Sequence, residues 1–174
     1  MTSVALISST NGLGHARRLG YLAAGFSTLG ISTKLFVTEK QASKLASEFE
    51  DLDNKMILFE INTHGLDGPR WKADKFPVTP PSPKVIAELA NCTAVISDNV
   101  IWPAKYNPNF FLHGHFNWVD YWEKEVSLLD PEEVDVFKKE KSYMRSVKSW
   151  FQSENFYMWG SNLHNIEEVK MPLM

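Results

Sequence analysis

Short apolar runs alternate along this chain with stretches whose apolar residues recur every three or four positions, and that alternation restricts the fold more than any other feature. Val4-Ala5-Leu6-Ile7 is a continuous apolar run bounded by Ser and Thr, the pattern of a strand covered on both faces in a parallel sheet. Leu19, Leu22, Phe26 and Leu29 follow at helical spacing, which predicts a helix from about 15 to 29, stopped by Gly30. The same rhythm predicts strands near 32–37, 56–61 and 93–97 and helices near 39–49 and 83–90. A strand near 109–112, a helix carrying Val119, Trp122, Val126 and Leu129 on one side, and a last strand at 156–159 extend it. Asp130, Pro131 and Glu133 form a capped helix start, with Val134, Phe137, Met144, Val147 and Phe151 as the buried stripe. Repeated alternation of this kind requires right-handed βαβ crossovers. The expected fold is therefore α/β, one Rossmann-like domain over 1–174, with a mostly parallel sheet and helices on both faces.

Composition narrows the class. The 174 residues, 44% apolar and 22% charged, suffice for a full core, and no run approaches the roughly 18 apolar residues of a membrane span. The first residues lack the basic segment and long apolar run of a signal peptide, and Cys92 is the only cysteine, so a cytoplasmic address is expected. A net charge of −3 argues against a protein whose main partner is nucleic acid. Residues 62–83 break the rhythm with five prolines and two glycines, and such long connections serve as lids, binding loops or disorder. Within them Trp71 and Phe76 either close over a ligand or pin the loop to the body.

The turn Asn11-Gly12-Leu13-Gly14-His15 stands between the first strand and the first helix, where doubly wound sheets bind ligands. Gly12 and Gly14 let a ligand approach backbone N–H groups at the positive end of the helix dipole. The loop is not a P-loop, because His15-Ala16 replaces Lys-Ser/Thr, and Arg17 stands where the dinucleotide fingerprint needs a small residue. Glu39 after the second strand imitates a ribose-binding acid, which keeps a nicotinamide oxidoreductase as a lesser reading. His15 in the first turn is suited to act as a neutral general base, or is simply a turn histidine bonded to backbone. Arg17 and Arg18 oppose the dipole there and call for an anion, either a substrate phosphate or neighbouring carboxylates. Asp98 and Asn99 follow directly on the fourth strand, so Asp98 either orients His15 or caps the turn toward Pro103. His113-Gly114-His115 offers two imidazoles and no adjacent third ligand, so no metal is assigned. Lys138, Lys141, Arg145 and Lys148 recur at helical spacing, a stripe that either meets anionic lipid weakly or is a solvated face.

Val4 to Ser9 followed by Asn11-Gly12-Leu13-Gly14-His15-Ala16-Arg17-Arg18 resembles the N-terminal domain of GT-B glycosyltransferases, with their Gly-x-Gly-His-x-x-Arg pattern. Val95-Ile96-Ser97-Asp98-Asn99 and Leu112-His113-Gly114-His115-Phe116-Asn117-Trp118 are similar to the fourth- and fifth-strand segments of such domains. The resemblance implies that His15 is the base that activates an acceptor hydroxyl and that Asp98 is its acid partner. It places the acceptor, a small molecule or a glycan or lipid-linked species, near Gly12, Leu13, Gly14, Arg17, Asn99 and His113. It implies no cofactor beyond a nucleotide-sugar co-substrate, such as a UDP-sugar, and an inverting transfer. The donor-binding second domain of that architecture is expected from a missing C-terminal half or a partner subunit. A nucleotide-sugar hydrolase and a non-catalytic binding module are the alternatives on the same fold.

Overall fold

The structure is a computed structural model and describes residues 3–49, 56–60, 65–68, 76, 80–153 and 166–171. In chain order the elements are β1 (Ser3–Ser8), α1 (Leu13–Thr28), β2 (Ser32–Val37), α2 (Glu39–Glu48), β3 (Met56–Glu60) and α3 (Pro83–Asn91). Then come β4 (Ala94–Asp98), β5 (Phe110–His113), α4 (Trp118–Lys124), α5 (Pro131–Tyr143), β6 (Val147–Ser153) and β7 (Glu167–Met171). The strands form one sheet in the order β3-β2-β1-β4-β5-β6-β7, and each neighbouring pair is parallel. Successive strands step one way from β1 to β3 and the other way from β4 to β7, so the order reverses between β1 and β4.

Alternation within the strands splits the core in two. Val4, Leu6, Leu35, Val37 and Ile96 pack under α1 and α2, while Ala5, Ile7, Phe36, Val95 and Leu112 face α3, α4 and α5. Burying each large side chain of this kind contributes about 1.5–3 kcal/mol, and Leu6, Ile7, Phe36 and Leu112 are completely covered. The fold is thus the α/β Rossmann-like sheet with helices on both faces that the alternation predicts.

The strands from β1 to β5 fall where their apolar runs place them, and the differences concentrate elsewhere. Helix α1 starts at Leu13, and its buried face is Ala16, Leu19, Gly20 and Ala23, with Leu29 exposed beyond its last turn. Helix α4 ends at Lys124 instead of running on to Leu129. A short 3-10 turn over Val126–Leu128 follows, leaving both of those residues exposed and delivering Asp130 as the cap of α5. Helix α5 has the expected capping box but stops at Tyr143, so Val147 and Phe151 belong to β6. A branched and an aromatic residue four apart, such as Val147 and Phe151, fit either period, and here sheet pairing with β5 wins. The expected strand at 156–159 lies outside the described residues, whereas β6 and β7 were not expected.

The end of α5 also dissolves the basic stripe. Lys138 and Lys141 are helical, but Arg145 lies in a 3-10 turn and Lys148 in β6, so the four cations share no helical face. Lys141 moreover pairs with Glu123. No helix among the described residues is long and apolar enough to cross a membrane.

Candidate functional site

The carboxyl ends of β1, β4 and β5 lie side by side, with Ser8 in register with Asp98 and Asp98 with His113. The β1–α1 connection rises from this edge. Gly12 is the N-cap of α1 with φ 106°, a conformation only glycine adopts without strain, and the first helical turn carries no acidic residue and no side-chain cap. Gly14 has open space where a Cβ would stand. Gln41 fixes the turn from α2, donating from Nε2 to Ser9 O at 2.8 Å and Gly12 O at 2.7 Å. Beside the turn is a cavity of about 430 Å³ lined by residues including Thr10, Gly12, Leu13, Lys40, Gln41 and Lys44.

His15 and Asp98, 83 residues apart, meet across the point where the strand order reverses: His15 Nδ1 is 3.0 Å from Asp98 Oδ1. Asp98 is fully buried and His15 is 15% exposed. Arg18, one turn after His15, forks onto the same carboxylate, donating from Nε to Oδ2 at 3.1 Å and from Nη2 to Oδ1 at 2.9 Å. His113, the last residue of β5, brings its buried Nδ1 to 3.5 Å from Asp98 Oδ2, without hydrogen-bond geometry. Burial alone would raise the Asp98 carboxyl. Instead the imidazoles of His113 and His15 and the charge of Arg18 outweigh it and hold the group far below the ordinary carboxylate range.

Asn99 supplies the remaining contact. Its left-handed backbone, φ 70°, is one asparagine tolerates, and it turns the buried amide toward the pair. With the amide nitrogen donating to Phe116 O at 2.6 Å and Asp98 Oδ1 at 3.2 Å, the amide oxygen takes the position 3.4 Å from His15 Nδ1. Gly114, φ 113°, makes room for this, because a Cβ there would collide with the Asn99 amide.

These contacts constrain the tautomer. Arg18 Nη2 also lies 2.9 Å from His15 Nδ1, so Nδ1 either carries a proton shared with Asp98 or turns a lone pair toward Arg18. An ionised Asp98 and the Asn99 oxygen are both acceptors and favour the proton on Nδ1. The lone pair is then on Nε2, which has no partner among the described residues. That arrangement can accept a proton at Nε2 and stabilise the resulting imidazolium through Asp98.

Of the residues singled out from sequence, the structure gathers His15, Asp98, Asn99 and His113 into one cluster, with Gly12, Leu13 and Gly14 forming the turn above. Arg17 is not part of it. Its guanidinium points to Glu48 on α2, with Nε 2.7 Å from Oε2 on the exposed side of the helix, so the anion it answers is a neighbouring carboxylate. Arg18 takes the place expected of Arg17, and the sequence held the clue, since positions 15 and 18 share a helical face. Asp67 was missed altogether. It reaches in from the proline-rich connection and accepts from Ser9 Oγ at 2.5 Å, Thr10 N at 2.7 Å and Thr10 Oγ1 at 2.8 Å. Only its flanking Gly65 and Gly68 hinted at a built turn.

Phe76 pins that connection. Its N–H donates to Glu133 Oε1 at 2.8 Å and its ring packs edge-on against Trp122, while Trp71 lies outside the described residues. Among the described residues no three His, Cys, Asp or Glu side chains group as metal ligands. No protein-family model matches the chain, and no curated protein matches it.

Proposed function

We propose that this chain is the acceptor-activating domain of an inverting, nucleotide-sugar-dependent glycosyltransferase of the cytoplasm, with His15 as general base. The observation that carries the reading is the His15–Asp98 pair at the switch point, with Nε2 left without a partner among the described residues. In the reaction, His15 Nε2 removes the proton of an acceptor hydroxyl lying against the Gly12–Gly14 turn. The acceptor oxygen attacks the anomeric carbon, the bond to the diphosphate oxygen breaks, and configuration inverts. Asp98 stabilises the imidazolium, and Arg18 keeps Asp98 ionised and aligned. A second Rossmann-like domain, in the same polypeptide or a partner, would present the donor, a UDP-sugar or a related nucleotide-sugar. The scheme uses no cofactor beyond that donor.

The test is transfer from a panel of uridine diphosphate sugars by the purified assembly containing this chain. His15→Ala should lower turnover by about 10²–10⁴-fold, the usual value of a positioned base, with little change in acceptor KM. Full turnover in the variant overturns the assignment of the base. Free sugar in place of a glycosylated acceptor would assign the same dyad to a hydrolase.

A further inference from the structure

We propose that the cleft at the amino-terminal ends of β5 and β6 is a binding site for a phosphate-bearing anion. It lies at the sheet edge opposite His15 and is independent of the transferase reading. The cleft has a volume of about 410 Å³, and its walls include Lys105, Tyr106, Asn107, Arg145 and Lys148, with no acidic residue in its lining. Two separate connections build it. Lys105 comes from the segment leading into β5, and Arg145 and Lys148 from the turn leading into β6.

Three exposed cations line this one cleft and repel one another modestly through water, a repulsion that a bound anion would relieve. Some cations elsewhere are answered by the chain itself: Arg17 pairs with Glu48, Lys34 with Glu88 and Lys141 with Glu123. Among the described residues no carboxylate pairs with Lys105, Arg145 or Lys148, although the whole chain carries a net charge of −3. The grouping is therefore local and does not follow from a basic composition. The side of the cleft leading into β5 is also held in place. The Lys105 ammonium lies 5.4 Å from the centre of the Tyr106 ring, and Asn107 Nδ2 donates to Leu89 O at 2.9 Å and Cys92 O at 2.8 Å. Asn107 Oδ1 accepts from Asn109 N, so its amide is engaged and the cations are left to hold a ligand.

The chemistry selects phosphate. A carboxylate brings one negative charge and leaves two of the three cations opposed, whereas a phosphomonoester or diphosphate brings about two or more in a compact group. Arg145 supplies a planar fork that matches phosphate oxygens, and the two lysines supply point charges. A single cleft on an acidic chain is not the extended basic track that nucleic acid requires.

The probe is sodium pyrophosphate titrated calorimetrically into the full chain at low salt. The expected result is saturable binding that weakens at least about tenfold in the double variant Arg145→Ala/Lys148→Ala, and weakens further as salt rises. Lys138→Ala, which removes an exposed charge from α5, should leave binding unchanged, and unchanged melting temperatures would show that all variants fold. A second arm sediments the chain with phosphatidylcholine vesicles with or without phosphatidic acid. Sedimentation that needs phosphatidic acid and is lost in the double variant identifies a lipid headgroup. Pyrophosphate binding without sedimentation identifies a soluble phosphate compound. No saturable pyrophosphate binding, or equal binding by the double variant, overturns the proposal.

Discussion

Asp98 and Asp67 are both buried at the same edge of the sheet, and each grips one end of the β1–α1 connection, yet their surroundings are opposite in kind. Asp67 holds the start of the turn through the hydroxyls of Ser9 and Thr10 and one backbone N–H, all neutral donors. Burial raises its carboxyl more than those bonds lower it. Asp98 holds the end of the turn through His15 and Arg18, with His113 behind it, and is kept well below the usual range. The first carboxylate is a clamp. The second is a fixed negative charge set against the His15 imidazole, where it can stabilise positive charge.

The largest effect that tests this contrast comes from Asp98→Asn beside Asp67→Asn. Asp98→Asn leaves Arg18 and His15 without their anion and should cost about 3 kcal/mol at neutral pH, the low end for a broken buried pair because Arg18 is partly exposed. A carboxyl whose folded value is lowered stabilises the fold above its unfolded value of about 3.9, and that contribution is lost as pH falls through the folded value. The deficit of Asp98→Asn should therefore shrink below about pH 4. Asp67 has the opposite sign. Its raised carboxyl favours the fold most below the unfolded value, and the advantage wears away as pH rises through the folded one. Asp67→Asn should thus cost about 1 kcal/mol for weakened hydrogen bonds at acid pH and less toward alkaline pH. Melting curves across pH check both, and parallel profiles for the two variants would break the comparison. In the transfer assay Asp98→Asn should abolish turnover, and Asp67→Asn should leave a measurable rate.

The same contrast marks what could be read from the sequence. Asp98 was legible because it directly follows an apolar strand, and strand ends at a switch point converge by topology alone. His15 was legible for the same reason, its turn following β1. Asp67 was not, because no local period links a proline-rich connection to Ser9, 58 residues away; only the folded chain makes that pairing. The helices show a parallel limit. Capping residues predicted the start of α5 at Asp130, but nothing local distinguished its last turn from β6, since Val147 and Phe151 satisfy both periods until β5 provides a partner.

A third carboxylate extends the comparison on the clamp side. Glu140, buried on α5, accepts from Leu66 N at 3.4 Å, one residue before Asp67. Its carboxyl is pushed up to about 8, first by burial and then by the charge of Asp67, against the Leu66 hydrogen bond. By the rule for a raised acid, its contribution is complete below the unfolded value of about 4.3 and is lost progressively as pH rises toward 8. Glu140→Gln keeps an oxygen for Leu66 and removes the titration, so it should gain about 1–3 kcal/mol at pH 9 and little at pH 5. Chemical denaturation at the two values measures this directly. A loss at pH 9 would mean that Glu140 is charged and well paired, like Asp98, and the two sides of the connection would no longer differ.

The smallest expected effect separates two adjacent arginines. Arg18→Ala removes both donors that align Asp98 and should lower transfer by about tenfold or more, as expected for loss of charge-assisted hydrogen bonds at a working group. Arg17→Ala removes only a solvent-exposed pair with Glu48, and surface pairs of this kind contribute little. It should leave the transfer rate and the melting temperature within error of the parent. The pair is informative because the two residues differ by one position in sequence and by about 100° around the helix. If Arg17→Ala were instead the damaging change, the donor would have to approach from the α2 side, over the cavity lined by Lys40 and Lys44. The Asp98 cluster would then be a structural anchor for α1.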